Sequence, residues 1–344
     1  MLTDFTFGVV TYNSDSTIIE TLESIKYQIE NFGKGISFYL VLSDDCSKDN
    51  TVLYANKWIE LNRILFSEVT VLSTPVNSGV CVNYALMINN INTEHFIQIA
   101  GDDLICSRNI FKSMLDLGKN ELRVHLPIVY NGEKVEVSEN NIARQLYYKD
   151  YKHSNKKDIR LLETLIPYST VQILFLKHHY TVESMEFIKQ YRNFEDDTSL
   201  YYILNNNNEV SFSFCMEPLI IYRRAETSLT TSVDNANQIR FLDDLYNFRK
   251  LTLKNERHLL TKLFLALIVW DVFLMKHRFN ASNSLDRKLR QWINDRRIKN
   301  GRNNPSFNEQ SDKIHSFVLK EEEYTKYLRE KSLKFYEVLN ENSF

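Results

Sequence analysis

The sequence predicts an α/β fold with a mixed central sheet, followed by a helical C-terminal region. Short apolar runs alternate with amphipathic helical stretches over residues 1–104, a pattern typical of strands joined by crossover helices. After about residue 235 the pattern becomes helical and glycine is scarce. With 344 residues, of which 43% are hydrophobic, the chain is long enough to bury a sizeable core.

Residues 1–104 predict three strand–helix units and a fourth strand. The predicted strands cover residues 5–11, 38–42, 69–72 and 95–100. The first helix, predicted over 17–29, begins with Thr17 and Glu20 at the spacing of a capping box. Ligands of open parallel sheets bind beyond the carboxyl ends of the strands. We therefore expect the polar residues that follow the strands to converge: Asp44, Asp45, Asn77, Asp102 and Asp103.

Residues from about 124 to 225 show a different pattern, in which short apolar runs such as VQILFL and LIIYRR alternate with polar ones. We expect these runs to add mixed-sheet strands to the same domain. The predicted domain therefore spans 1–235, in two halves at 1–104 and 105–235. Residues 236–344 are predicted to form a helical region that ends in an amphipathic helix after the break GRNNPSF.

Two pairs of adjacent acidic residues follow predicted strands. Asp102 and Asp103 lie in IAGDDL, and Asp44 and Asp45 lie in LSDDCSKDNT. Carboxylate oxygens are the ligands that Mg²⁺ and Mn²⁺ prefer, and such a cation can also bind a diphosphate. A polar turn explains a single GDD equally well. The second pair at the end of another strand of the same predicted sheet favours a binding site.

Four motifs in order over residues 9–104 carry a family resemblance: VVTYN, LSDDCSKDNT, NSGV and IAGDDL. This part of the chain resembles the N-terminal half of family 2 glycosyltransferases, which have the GT-A fold, a Rossmann-like nucleotide-diphospho-sugar transferase fold. The resemblance implies a nucleotide-sugar donor, with a UDP-sugar as the first hypothesis, bound by the half at 1–104. It also implies Mn²⁺ or Mg²⁺ as cofactor, and a saccharide acceptor bound by the half at 105–235.

The resemblance assigns roles to individual residues. Donor contacts are implied for Thr11, Tyr12 and Asn13 near the base or ribose, for Asp44 and Asp45 at uracil or ribose, and for Asn77, Gly79 and Asp102. Asp103 is the first candidate for the metal, with Asp102 as the second. Strand-end packing remains open for Thr11 and Tyr12, and a turn or cap role remains open for Asn77 and Gly79.

Two positions depart from the family pattern. Ala100 stands where the fuller acidic motif has its first carboxylate, and Tyr84-Ala85 replaces an Arg-Asn pair found in many relatives. Both departures raise the alternative of a glycosyltransferase-like binding protein without activity. The retained acidic residues argue against that alternative.

An inverting transfer needs a general base near the acceptor hydroxyl. The segment NFEDDTSLYYIL is similar to the family's acidic helix start and supplies Glu195, Asp196 and Asp197. Asp196 is the first hypothesis for the base and Asp197 the second. Acidic residues in a first helical turn also stabilise the helix dipole, which is the structural alternative for each of them.

The segment EPLIIYRRAETSLT is similar to the family's closing strand and the loop that covers the diphosphate. Tyr222, Arg223 and Arg224 are therefore candidates for phosphate contacts. An arginine beside a sheet edge is as often a solvated surface residue.

Charge and cysteine content exclude some classes of protein. The net charge of −2 gives no reason to expect nucleic-acid binding. Four widely spaced cysteines without a C-x-x-C pair, and a start without a basic and then apolar leader, predict a reduced cytoplasmic protein. The apolar stretch 259–275 contains Lys262 and Asp271 and is not expected to span a membrane.

A basic segment follows that apolar stretch. Residues 276–302 contain nine Lys or Arg and two Asp, a net charge of +7. Together with the apolar run 263–270 just before it, this segment resembles a peripheral membrane anchor at the inner face of the cytoplasmic membrane. This location would suit a lipid-linked acceptor, for which undecaprenyl diphosphate is the hypothesis for the carrier. A core helix followed by a solvated basic helix is the open alternative.

Two further enzyme classes share a nucleotide-binding α/β sheet. A sugar-nucleotide nucleotidyltransferase would need a glycine-rich phosphate loop near the N-terminus, and no such loop is present in the sequence. A dinucleotide oxidoreductase would need G-x-G-x-x-G after the first strand, where this chain has TYNSDST. The sequence therefore favours sugar transfer.

Overall fold

The computed structural model describes residues 2–150, 172–207, 209–224, 235–256, 259–277 and 285–341. Two features of the sequence lie partly outside these ranges. They are the predicted loop over the diphosphate, after Arg224, and the basic segment 276–302, of which residues 278–284 lie outside the described ranges.

Four parallel strands form the sheet predicted from residues 1–104. They are β1 (Asp4–Thr11), β2 (Ser37–Asp44), β3 (Glu68–Ser73) and β4 (Phe96–Ala100), in the order β3-β2-β1-β4. The connections contain α1 (Ile18–Phe32), α2 (Thr51–Leu61), a 3₁₀ turn (Arg63–Leu65) and α3 (Val80–Asn89). The order and the helical crossovers confirm the predicted α/β fold.

Helices cover both faces of the central strand β1, whose residues 5–9 are all buried. Phe5, Phe7 and Val9 share a core cluster with Ile18 and Leu22 of α1. On the other face Gly8 lies against α3, where an added Cβ would be only 2.8 Å from the Met87 sulfur. The absence of a side chain at Gly8 therefore lets α3 pack closely on the sheet.

Short strands and helices complete the mixed-sheet part. They are β5 (Leu104–Ile105), α4 (Ile110–Leu115), β6 (Glu121–His125), β7 (Ile128–Tyr130), β8 (Val135–Glu136), α5 (Glu139–Asp150), β9 (Ile173–Leu174), a 3₁₀ turn (Lys177–His179), α6 (Val182–Ile188), α7 (Glu195–Asn206), β10 (Ser211–Cys215) and β11 (Ile220–Arg223). Parallel and antiparallel pairs alternate in the orders β10-β6-β9 and β5-β11-β7-β8. The prediction of a mixed sheet is confirmed.

The C-terminal helices are α8 (Asn235–Asn255), α9 (Leu259–Lys276), α10 (Leu285–Arg302) and α11 (Phe307–Glu341). Phe248 of α8 and Ile268 of α9 share a core cluster with Tyr84 and Ile203. On α11, Tyr324 lies 4.8 Å from Tyr27 of α1, ring centre to ring centre. The helical region therefore packs on the sheet domain.

The predicted capping box at the start of α1 is wrong. The Thr17 side chain makes no cap contact and instead donates to the carbonyl oxygens of Ser14 (3.2 Å) and Gly101 (3.0 Å). Glu20 pairs with Arg223 from the other end of the domain. A tertiary ion pair has replaced the local hydrogen bond that the spacing suggests.

Helix α9 contains the most apolar stretch of the chain. Across the described residues, we find no helix with both the length and the apolar content that a bilayer crossing requires.

Candidate active site

The carboxyl ends of the parallel strands meet at one edge of the sheet. Thr11 is in register with Asp44, Asp44 with Ser73, and Val10 with Ala100. The segments that follow these strands therefore lie side by side. The structure thus brings together the predicted donor residues: Thr11, Tyr12, Asn13, Asp44, Asp45, Asn77, Gly79, Asp102 and Asp103.

Asp44 and Asp45 shape the loops beyond β2 and β3. Asp44 Oδ2 accepts the Ser47 N–H at 2.9 Å, closing the turn after β2. Asp45 Oδ1 accepts from Ser78 N (2.7 Å) and Thr74 Oγ1 (3.0 Å). Both carboxylates are buried. These contacts give the pair a loop-holding role, and their predicted contact with the nucleotide stays a prediction.

Gly79 lies where Arg192 crosses the loop before α3. Its N–H donates to Asp45 Oδ2 at 2.8 Å, and its φ of +93° is a conformation that favours glycine. A Cβ at this position would be 2.6 Å from the Arg192 carbonyl oxygen. The Arg192 guanidinium also donates to the Asn77 carbonyl oxygen (3.1 Å) and to Asn77 Oδ1. A side chain at position 79 would overlap Arg192, so glycine is required there. Nothing in the sequence indicated this contact between residues 113 positions apart.

The end of β1 presents one exposed aromatic side chain and two constrained polar residues. Tyr12 is 46% exposed. The Asn13 backbone has a φ of +49°, and its side chain accepts the Lys48 N–H at 2.9 Å. Thr11 Oγ1 is buried, with no hydrogen-bond partner in the described part of the chain. The Tyr12 ring is thus accessible for stacking on a base, while Asn13 joins the loops after β1 and β2.

Asp102 and Asp103 are fixed by Arg223 from β11. The Arg223 N–H donates to Asp103 Oδ1 at 2.8 Å, and its Nε donates to the Asp102 carbonyl oxygen at 2.7 Å. Its Nη2 pairs with Glu20 Oε2 at 2.6 Å, and its guanidinium lies 5.2 Å from the centre of the Tyr130 ring. Arg223 therefore holds the acidic turn in place. Its predicted phosphate contact remains a prediction, and nothing in the sequence signalled Glu20 as its partner.

The acidic turn carries charge that burial penalises. Burial raises the pKa of Asp103 well above its ordinary value, and the charge of Asp102 adds to the effect. Burial also raises the pKa of Asp102, although the Arg223 charge opposes it. A divalent cation would relieve both effects, so this pair of oxygen ligands fits Mg²⁺ or Mn²⁺. Within the described ranges, no cluster of three or more ligating side chains is present.

The three base candidates have different surroundings. Asp197 is buried and pairs with Arg249 of α8, with 3.2 Å between Oδ2 and Nη2. Burial raises the pKa of Glu195 to about 8, and the charges of Asp196 and Asp197 add to the rise. The charge of Asp196 also raises the pKa of Asp103, so the two carboxylates lie within electrostatic reach.

Tyr84 accounts for one departure from the family pattern. Its hydroxyl is buried and hydrogen-bonded to Tyr180 at 2.7 Å and to Gln98 of β4. Position 84 is thus part of the core between α3 and β4, where an arginine would leave a charge buried. Ala100 takes part in the turn only through its carbonyl oxygen, which accepts the Asp103 N–H at 3.0 Å.

A parallel nucleotide-type sheet, with an acidic turn after β4 and an acidic helix start nearby, defines the GT-A class of glycosyltransferases. Residues 6–175 match the family model described as glycosyl transferase family 2. This span contains the parallel sheet except for the first two residues of β1, together with both acidic pairs. Residues 6–175 therefore belong to glycosyl transferase family 2.

Solved structures of S. aureus TarS share this fold. Similarity to one TarS crystal structure has a TM-score of 0.55 at 17% identity and covers 97% of this chain but 54% of that one. This chain therefore spans about half the length of that relative. A structure of TarS 1–349 with UDP-GlcNAc gives a TM-score of 0.56 at 17% identity, covering 97% of this chain and 89% of that one. No curated protein sequence matches this chain significantly.

Proposed function

We propose that this chain transfers a sugar from a nucleoside diphosphate, with UDP as the first hypothesis, to a hydroxyl of a saccharide acceptor. The transfer would invert the anomeric carbon. The observation that carries the proposal is the proximity of two acidic groups from different elements. Asp102 and Asp103 follow β4. The segment that leads into Asp196 contacts the donor loop, through Arg192 on the Asn77 carbonyl oxygen (3.1 Å) and the Cys81 thiol on the Asn193 carbonyl oxygen (2.9 Å). The charge of Asp196 also raises the pKa of Asp103. A direct displacement needs one such group at the leaving diphosphate and one at the attacking hydroxyl.

On the donor side, the loops at the edge of the sheet would hold the nucleotide sugar in position. The loops after β1, β2 and β3 would bind the nucleoside, with the exposed Tyr12 ring available for stacking on the base. TarS 1–349 has been crystallised with UDP and with UDP-GlcNAc, which supports a uridine donor for a chain of the same fold. Asp103, with Asp102, would hold Mg²⁺ or Mn²⁺, which when bound stabilises negative charge on the diphosphate.

On the acceptor side, Asp196 is the proposed base. It would take the hydroxyl proton as the new C–O bond forms and the bond to the nucleoside diphosphate breaks. A pKa of about 8 leaves Glu195 mostly protonated at pH 7, so that its basic form is the minor one. The Asp197 carboxylate is occupied by Arg249. Elimination of its two neighbours therefore supports Asp196.

The test combines binding and turnover. Thermal-shift measurements with UDP, GDP, CMP and dTDP, each with and without Mn²⁺, should show metal-dependent stabilisation by one diphosphate. Transfer to a saccharide from the matching donor, with the product's anomeric configuration read by NMR, tests the reaction. Asp103→Asn should abolish the metal dependence while preserving the fold. Retained configuration, or metal-dependent turnover in this variant, would overturn the assignment.

The two rival functions predict other results. Release of pyrophosphate from a nucleoside triphosphate would indicate a nucleotidyltransferase. Tight nucleotide binding without turnover of any nucleotide sugar would indicate a binding protein.

We also propose that α9 rests on an anionic membrane surface, near a lipid-linked acceptor. Four large apolar side chains at helical spacing are exposed on α9: Leu259 (68%), Leu263 (57%), Leu267 (39%) and Trp270 (60%). The exposed Lys262 lies among them. On α10, Arg296 lies 5.7 Å from the ring centre of the exposed Trp292. Apolar and aromatic side chains next to cations are typical of interfacial helices.

Co-sedimentation with vesicles containing phosphatidylglycerol at low salt tests this surface. Leu263→Glu should reduce the bound fraction, whereas Ile64→Glu, at a position 96% exposed on the 3₁₀ turn after α2, should not. If the full chain stays in the supernatant, the membrane proposal is wrong. Dimerisation in ultracentrifugation that Leu263→Glu abolishes would assign the stripe to a second copy instead.

A further inference from the structure

Helix α8 contacts the segment that precedes the proposed base. Asp244 Oδ2 accepts three N–H donors from that segment: Arg192 N at 2.9 Å, Asn193 N at 2.9 Å and Asn193 Nδ2 at 3.2 Å. The next residue, Phe194, has a φ of +73° and is the N-cap of α7. A left-handed conformation at a phenylalanine is unfavourable and persists only where its surroundings impose it. Asp244 supplies such surroundings.

The same helix also contacts the residue that follows the base. Arg249, five residues beyond Asp244, pairs with Asp197 at 3.2 Å, and both side chains are 11% exposed. Its guanidinium carbon also lies 5.4 Å from the centre of the Phe248 ring. A buried charge pair costs several kcal/mol when one partner is removed. Helix α8 therefore fixes the chain on both sides of Asp196, at residues 193 and 197.

The segment held by Asp244, residues 192–193, also contacts the donor loop. The Arg192 side chain donates to Asn77, and its carbonyl oxygen accepts the Cys81 N–H at 3.3 Å. The Cys81 thiol donates to the Asn193 carbonyl oxygen at 2.9 Å. Residues 192–193 thus contact α8 on one side and residues 77–81 of the donor loop on the other.

We infer that α8 positions the proposed base against the donor loop, with Asp244 and Arg249 as positioning residues that need not touch either substrate. This inference rests on the proposed function. A displacement of about 1 Å between reacting groups can lower a rate by about 100-fold. The contacts of Asp244 and Arg249 hold the proposed base at its distance from the donor loop through the backbone of residues 192–197. We therefore expect their loss to affect the chemical step more than donor binding.

Kinetics of Arg249→Gln and Asp244→Asn test the inference. Each variant should lower kcat by about 10- to 100-fold and change the donor KM by less than about 3-fold. Arg240→Gln is the matched control, since Arg240 is an exposed arginine of the same helix. If Arg249 acts through Asp197, adding Arg249→Gln to Asp197→Asn should lower kcat by no more than about 2-fold further. Full kcat in both single variants, or additive effects in the double variant, would overturn it.

Hydrogen exchange separates this inference from the proposed function. Asp244→Asn should increase amide exchange at residues 192–194 and also at 79–81, even in a chain with no measured turnover. Unchanged exchange at 79–81 would refute the coupling between α8 and the donor loop. If the wild-type chain transfers no sugar, the proposed function fails, and the exchange result still decides whether the coupling exists.

Discussion

The donor loops and the start of α7 differ in where their supports come from. Asp45 binds Ser78 and Thr74, 33 and 29 residues away, and Asp44 binds Ser47, three residues away. The start of α7 depends instead on Asp244 and Arg249, which belong to the C-terminal helices. Apart from the contacts of Arg192, the loops after β2 and β3 are thus held from within one stretch of sequence, and the start of α7 is not. Sequence motifs therefore identify the candidate donor residues, whereas the surroundings of the candidate bases are known only from the tertiary structure.

The largest expected effect on kcat distinguishes Asp196 from Glu195 at the acidic start of α7. Asp196→Asn should lower kcat by about 10³-fold or more, since a general base contributes about 10²- to 10⁴-fold. Glu195→Gln should stay within a few-fold of wild type at pH 7, because a carboxyl with a pKa of about 8 is already mostly protonated. Steady-state kinetics of both variants check this. An equal loss in Glu195→Gln would move the base to Glu195.

Arg223 joins the acidic turn after β4 to Glu20 of α1, and its loss should be the next largest effect. Arg223→Gln leaves Glu20 buried without its partner and should destabilise the fold by about 3–4 kcal/mol. Adding Glu20→Gln should recover much of that stability in urea unfolding. Arg224→Gln, at an exposed neighbour, is the control for the stability measurement only. Loss of UDP affinity in the stable double variant would support the predicted phosphate contact of Arg223, and unchanged affinity would exclude it.

Gly79 tests whether the donor loop depends on Arg192. Gly79→Ala should cost about 2–3 kcal/mol and weaken donor binding, because its Cβ would overlap Arg192 in addition to the strain at positive φ. Gly35→Ala is a matched control: Gly35 has a φ of +83° with no heavy atom within 4 Å of an added Cβ. Only the conformational cost, about 1 kcal/mol, should remain there. Equal unfolding free energies for both variants would contradict the contact.

The smallest effect concerns a distant support of the segment that follows β5, at the start of the predicted acceptor half. Glu321 of α11 accepts the Ser107 N–H at 2.9 Å, three residues beyond the start of β5, and burial raises its pKa from 4.5 to about 7. Because the folded state then holds the proton more tightly, this contribution to stability is complete below pH 4.5 and is lost as pH rises through 7.

Glu321→Gln should therefore be more stable than wild type at pH 8 and about equal to it at pH 4.5. Thermal unfolding over this pH range measures the difference. Glu323→Gln, at an exposed position on the same helix, should show no such trend. A Glu321→Gln variant that is less stable at pH 8 would show that the carboxylate's bonds to Ser107 outweigh its burial.

The prediction from sequence succeeded where chain proximity and strand geometry coincide. All four predicted strands are present, each within two residues of its predicted ends, and their parallel order brings the two acidic pairs to one edge. The capping box failed because Glu20 has a stronger partner, Arg223, 203 residues away. No periodicity or motif indicates such a pair.

The sequence by itself determined the class of fold, the family and the group of candidate residues, because alternating hydrophobicity and short polar motifs are local properties. It offered three carboxylates for the base, with Asp196 as the first hypothesis and Asp197 as the second. The tertiary structure gives them different surroundings: Arg249 pairs with Asp197, and burial beside two like charges raises the pKa of Glu195 to about 8. Burial and charge pairing depend on which distant segments pack together, and for this site those segments lie in the C-terminal helices.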